Sequence, residues 1–133
     1  MKKVVHVSGK RKHAVARATL KPGKGIVRIN SMLLDHYQPA LARYKIQEAL
    51  QLAGDAAKKV NIHVTVFGGG WQAQGEAARL AIARSLVEFT GSKELRQNYL
   101  DYDKHLLIQD SRRNEPHKPN DSKPRKKRAK SYR

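Results

Sequence analysis

The stretch Val60-Asn61-Ile62-His63-Val64-Thr65-Val66-Phe67-Gly68-Gly69-Gly70 couples a strand signal to a glycine run. Val60, Ile62, Val64 and Val66 share one phase of a two-residue period, with Asn61, His63 and Thr65 on the other. Three glycines end the strand. The period then lengthens to that of a helix, predicted from about Gln72 to Thr90. Ala78, Ile82, Leu86 and Phe89 form one apolar stripe, and Leu80, Ala83 and Val87 form a second. A helix apolar on two sides is sandwiched within a fold. Together these signals predict an α+β domain, a small sheet with helices packed on it.

Toward the N-terminus, Lys3 to Val7 reads as a short strand and Ser8-Gly9-Lys10-Arg11-Lys12-His13 as a basic loop. Ala14, Ala16, Ala18 and Leu20 alternate with Val15, Arg17 and Thr19, a second strand. Lys21-Pro22-Gly23-Lys24-Gly25 has turn chemistry, since Pro fixes φ and Gly permits positive φ. With a strand at Ile26 to Asn30, residues 14–30 are expected to form a hairpin, making four strands in all. Ser31 to Gln38 reads as a connector. Pro39 opens a helix carrying Ala42, Ile46, Ala49, Leu50 and Ala53, and Gly54 stops it. Ser92 caps a last short helix through Leu95 and Tyr99.

The charge pattern bounds the function. The 133 residues carry a formal net charge of +17. Residues 1–45 hold +10, residues 46–110 hold −1 and residues 111–133 hold +8. The middle resembles an ordinary globular domain, while both ends favour a polyanion. No apolar run approaches the roughly 20 residues of a spanning helix, so no membrane partner is expected. The apolar part of the first residues is too short for a signal peptide. No cysteine is present, hence neither a disulfide framework nor a thiolate metal site. Residues 109–133 contain no Val, Leu, Ile, Met, Phe or Trp but three prolines and Arg125-Lys126-Lys127-Arg128. The expected organisation is a globular domain over 1–108 and a basic extended tail over 109–133. With little apolar surface to bury, that tail is expected to be disordered when free and to order on its target.

No catalytic constellation emerges. The histidines His6, His13, His36, His63, His105 and His117 lack metal-ligand spacing, so no metal and no cofactor are expected. Asp101, Asp103 and Asp110 read as local balance for Lys104, Arg112 and Arg113. Gly68-Gly69-Gly70 supports two readings: close approach to a phosphate backbone at a helix start, or a tight turn where side chains would clash. Both stay open. Neither a Walker loop nor a dinucleotide fingerprint follows the glycines, so a small-molecule substrate is not expected. Trp71 is expected to pack on the fold, since one aromatic makes no stacking platform. The phosphate candidates within the domain are Lys10, Arg11, Lys12 and Arg17, with His13 beside them.

Two stretches carry a family resemblance. Ser8-Gly9-Lys10-Arg11-Lys12-His13-Ala14-Val15-Ala16-Arg17-Ala18 resembles the opening of the ninth protein of the small ribosomal subunit. Gly68-Gly69-Gly70-Trp71-Gln72-Ala73-Gln74-Gly75-Glu76-Ala77, continuing through Ala81, Ala83 and Arg84 to Ser85-Leu86, is similar to that family's signature. Lys130-Ser131-Tyr132-Arg133 looks like its archaeal and eukaryotic branch. Asn114 to Arg128 holds no glycine, where the family's tail often does.

The resemblance implies a two-layer ribosomal-protein sandwich with a left-handed β-α-β crossover, in a cytoplasmic ribosome. It implies partners in small-subunit ribosomal RNA, neighbouring head proteins and peptidyl-site tRNA. Ribosomal RNA would be held by Lys10, Arg11, Lys12, His13, Arg17, Gly68, Gly69, Gly70 and Gln74. In the tail it would be held by Arg112, Arg113, Lys123, Arg125, Lys126, Lys127 and Arg128. Lys130, Ser131, Tyr132 and Arg133 would approach tRNA. Charge alone leaves a free-standing nucleic-acid-binding or compacting protein as the alternative.

Overall fold

The strand at the centre of the sequence pattern is also the centre of the sheet. The computed structural model describes residues 4–120 and 123–125. Its strands are β1 (Val5–Arg11), β2 (Ala14–Pro22), β3 (Val27–Ile29), β4 (Met32–Leu33) and β5 (Val60–Phe67). They form one sheet in the order β1-β2-β5-β3-β4. The helices are α1 (Ala40–Ala53), α2 (Asp55–Lys58), α3 (Trp71–Thr90) and α4 (Lys93–Tyr102). From Gln109 to Pro119 the chain has neither helix nor strand. No helix of the described residues is long and apolar enough to cross a membrane.

The alternation in the sequence becomes two unlike faces. Ala14, Ala16, Ala18 and Leu20 of β2 and Val60, Ile62, Val64 and Val66 of β5 are buried beneath the helices. Arg17, His63, Thr65 and Phe67 stand exposed on the other side. Helix α3 lies against β1, β2 and β5, and packs its other flank against α1 and α4. Its two apolar stripes account for this: Ala78, Ile82, Leu86 and Phe89 are buried, and so are Leu80 and Ala83. Gly91, at φ 63°, ends α3 in the left-handed conformation that glycine adopts freely. The Ser92 side chain accepts a hydrogen bond from the Leu95 N–H, capping α4 as expected. The Tyr99 hydroxyl, fully buried, donates to the Ala49 carbonyl at 2.7 Å and ties α4 to α1.

The hairpin expected over 14–30 does not form. Strand β5 lies between its two arms, antiparallel to β2 and parallel to β3. The backbone donors explain the exchange. Gly23 and Gly25 N–H groups donate to the carbonyls of Lys59 and Val60, and the Asn61 side chain accepts from Lys24 and Ile26. The turn is therefore fastened to β5 instead of closing on itself. The parallel β3–β5 pair encloses α1 in a β-α-β unit.

The sheet also has five strands instead of four. Asn30 and Ser31 have φ of 50° and 70°, a two-residue turn with the twist that suits a hairpin. It sets Arg28 opposite Leu33 and Ile29 opposite Met32. Asn30 also accepts the Val66 N–H through its side-chain oxygen. The basic loop expected at Ser8 to His13 is mostly strand, because the register Lys10↔Val15 and Arg11↔Ala14 confines the turn to Lys12 and His13.

Helix α3 lies very close to the sheet at Gly9. A Cβ there would lie 2.6 Å from the Ala77 carbonyl oxygen and 2.8 Å from the Ala81 nitrogen. Neither backbone atom can rotate away as a side chain would. Gly9→Ala is expected to destabilise the fold by about 1–3 kcal/mol, read as a lowered thermal midpoint. An unchanged midpoint would show that the helix can step back from the strand.

Candidate nucleic-acid interface

Pairing of β2 with β5, with Val15 opposite Phe67, brings two distant stretches to one end of the sheet. The Lys12–His13 turn and the Gly68–Gly70 run touch there. A Cβ on Gly68 would meet the His13 carbonyl oxygen at 2.5 Å, and one on Gly69 the Ala14 nitrogen at 3.0 Å. Helix α3 begins at Trp71, so its unpaired N–H groups open at this same end.

The two readings of the glycines divide by position. Gly68 and Gly69 have φ of 78° and 66°, and both are crowded by the hairpin. They are required by the turn itself. Gly70 has φ −89° and nothing within 4 Å of a Cβ. Among the described residues no contact requires a glycine there, although glycine suits its N-cap position, and the bare backbone is open to an approaching chain. Gln74 donates through its amide nitrogen to the Gly68 carbonyl at 3.1 Å, which braces the turn. Trp71 is 48% exposed beside it rather than packed away.

The basic candidates point in different directions. Lys12 and His13 are exposed on the turn. Lys10 is half-buried. Arg17 stands on the open face with its guanidinium 5.5 Å from the Phe67 ring centroid, a cation–π contact that orders it. Arg11 instead turns onto α3, with its side chain 13% exposed. Its Nε donates to Glu76 Oε2 at 2.8 Å and one terminal nitrogen to the Arg112 carbonyl at 3.0 Å. Its other terminal nitrogen lies 3.7 Å from Asp110. Lys45 of α1 completes the group through Glu76 Oε1 at 3.0 Å.

The root of the tail is built into this network. Arg112 grips Asp110 with two nitrogens, at 3.0 and 2.8 Å from Oδ2. Those hydrogen bonds, with the charge of Arg11 behind them, hold the Asp110 carboxyl far below the usual range. Burial pushes the Glu76 carboxyl up, but hydrogen bonds and charge from Lys45 and Arg11 outweigh it and hold the group low. Asp103 balances Arg79, at 3.2 Å, rather than the neighbouring Lys104. Asp101 accepts from Gln97. Further along, Arg125 pairs with Glu115, while Arg113 and Lys123 are exposed. Lys126, Lys127, Arg128, Lys130, Ser131, Tyr132 and Arg133 lie outside the described residues.

Two structural partners escaped the sequence reading, Glu76 and Lys45. Glu76 sits one residue past Gly75 in the middle of the glycine signature, with no local partner to announce it. Among the described residues no three His, Asp or Glu side chains gather as metal ligands. The buried Ser85 hydroxyl donates to the Ile82 carbonyl.

The sequence profile of the ribosomal protein S9/S16 family matches residues 9–133. The chain belongs to this family. Relatives from two strains of Methanococcus maripaludis, C7 and C5, each described as small ribosomal subunit protein uS9, are 47% identical over 133 residues. The matches cover 98% of this chain and 99% of each relative. The profile starts at Gly9, a close contact of α3 with the sheet, and runs through the hairpin, the glycine turn and the tail. The archaeal relatives agree with the branch suggested by Lys130 to Arg133.

The Arg11–Glu76–Lys45 group makes the fold sensitive to acid. Folded Glu76 titrates below its unfolded counterpart. Its contribution is therefore complete above the unfolded value of about 4.3 and disappears as pH falls through the depressed folded value. A thermal midpoint that declines below about pH 4.3 is expected. Glu76→Gln should flatten that decline and cost about 1–3 kcal/mol near neutral pH, since Arg11 and Lys45 lose their partner. A variant that melts with the same pH profile as the unaltered chain would count against this assignment.

Proposed function

We propose that this chain is a structural constituent of the small ribosomal subunit. Its domain docks on ribosomal RNA of the subunit head by the hairpin-and-glycine end of the sheet. Its basic tail then follows RNA toward tRNA in the peptidyl site. The observation that carries the docking reading is Gly70, bare and with open space around it, between an exposed Lys12–His13 turn and a helix N-terminus. Phosphate oxygens suit such a place, because backbone N–H groups can reach them where no Cβ intervenes. Lys12 adds charge at the same end. Family membership supports the ribosomal setting and the neighbouring head proteins as partners.

The chemistry is electrostatic and positional, and no bond is made or broken. Each Lys or Arg that neutralises a phosphate releases counterions, so affinity falls steeply with salt. Residues 109–133 hold three prolines and three acids against ten Lys and Arg, which suits passage between RNA helices better than packing on a core.

Gly70→Ala tests the docking surface at a position with open space around the added Cβ. Because Gly70 is the N-cap of α3 and alanine caps less well, stability is expected to fall by no more than about 1 kcal/mol, read as a small drop in thermal midpoint. Affinity for a head-domain transcript of small-subunit RNA is expected to fall about fivefold to tenfold, the scale of one lost phosphate contact. Unchanged affinity would remove the glycine end from the interface. The tail has its own test. Deleting residues 129–133 is expected to leave co-sedimentation with small subunits intact while weakening tRNA binding in the peptidyl site. Unaltered tRNA affinity would sink the proposed tail contact, and migration of the full chain apart from subunits would favour a free-standing binder.

A further inference from the structure

The face of the sheet turned away from the helices is cationic across its breadth. Arg17 and Lys21 project from β2 and Arg28 from β3, with His6 of β1 and His63 of β5 between them. Register places His6 beside Thr19, Thr19 beside His63, and His63 beside Arg28 in one row. The His6 ring is fixed by a 2.9 Å hydrogen bond with Thr19. No outward position of β1, β2, β3 or β5 carries an aspartate or glutamate. Lys21, Arg28 and His63 line a shallow depression of about 510 Å³.

We infer that this open face is a second RNA surface, and that its ligand is the backbone of double-helical RNA. The inference rests on the RNA-binding reading above and adds a site on another side of the domain. Charge complementarity selects a polyanion. The form of the RNA follows from what the face lacks. A sheet that reads single-stranded bases presents aromatic rings for stacking. Here Phe67 is the only outward aromatic on the strands, it stands at the edge, and the Arg17 guanidinium lies over its ring. A protein partner would be anchored by apolar or aromatic side chains near the centre of the patch. The centre is instead Arg17, His63 and Thr65. Lysine and arginine for phosphates, with threonine hydroxyls for 2′-hydroxyls, match the wide shallow groove of an A-form helix.

The test uses the full chain and an RNA duplex of about 20 base pairs, with its single strand and poly-glutamate as competitors. Lys21→Gln with Arg28→Gln is expected to weaken duplex binding about 10- to 30-fold near 0.15 M salt and to reduce the salt slope by about 2. Lys93→Gln with Arg96→Gln removes the same charge from α4 and is expected to change neither. Equal losses in the two pairs, or no loss in the first, overturn the inference. Tighter competition by the single strand or by poly-glutamate overturns the duplex assignment. Should the double variant fail to fold, Lys21→Gln alone is expected to lower the slope by about 1. Unaltered chain that fails to bind the head-domain transcript would instead refute the function proposed above, so the two failures are told apart.

Discussion

The approach of α3 to β1 at Gly9 is the constraint on which the rest of the structure depends. Backbone meets backbone there, at distances no Cβ would permit. The neighbouring positions follow suit. Ala14, Ala16 and Ala18 face the helix from β2, and Ala77, Ala78 and Ala81 answer from α3. On the far flank, a Cβ on Gly75 would lie 3.0 Å from that of Ala42, so α1 is also drawn in close. A core of alanines and glycines has little slack, because close-packed interiors transmit any added volume as strain. The thin packing fixes where α3 starts, and with it the height of the glycine turn above the Lys12–His13 hairpin.

Much of this was legible in the sequence, because the signals were local. Strand alternation at Val60–Phe67, the two stripes of α3, the span of α1 and the Ser92 cap each depend on residues within one element. Partner choice does not. Residues 14–30 have every local mark of a hairpin, yet β5 separates the arms. What decides this is Asn61, whose side chain takes the turn's N–H groups from 35 and 37 residues away in sequence. The fifth strand was hidden for a different reason. A two-residue strand leaves no periodicity, and its turn is built on Asn30 and Ser31 rather than glycine.

Charge shows the same division. The charge count locates the basic ends of the chain but orients no single residue. Lys12 and Arg11 are neighbours with opposite fates. Lys12 stands in solvent on the turn, while Arg11 lies inward on Glu76, 65 residues further on, and on Arg112, 101 residues further on. Arginine suits that position, since its fork can serve two acceptors at once. Nothing local in the sequence joins Lys21 and Arg28 to His63. Only the true strand order places them on one open face with His63.

The Arg11 group also shapes how a tail can search for its target. Asp110 and Arg112 hold the first tail residues against β1, so the chain beyond them starts from a fixed point beside the hairpin. If the domain docks as proposed, later contacts of the tail would be intramolecular. Their strength is then set by an effective concentration, which depends on the length of chain beyond the anchor. Moving that anchor outward by even a few residues would enlarge the volume explored. The ion pairs at the root thus act at a distance, by shortening the tether.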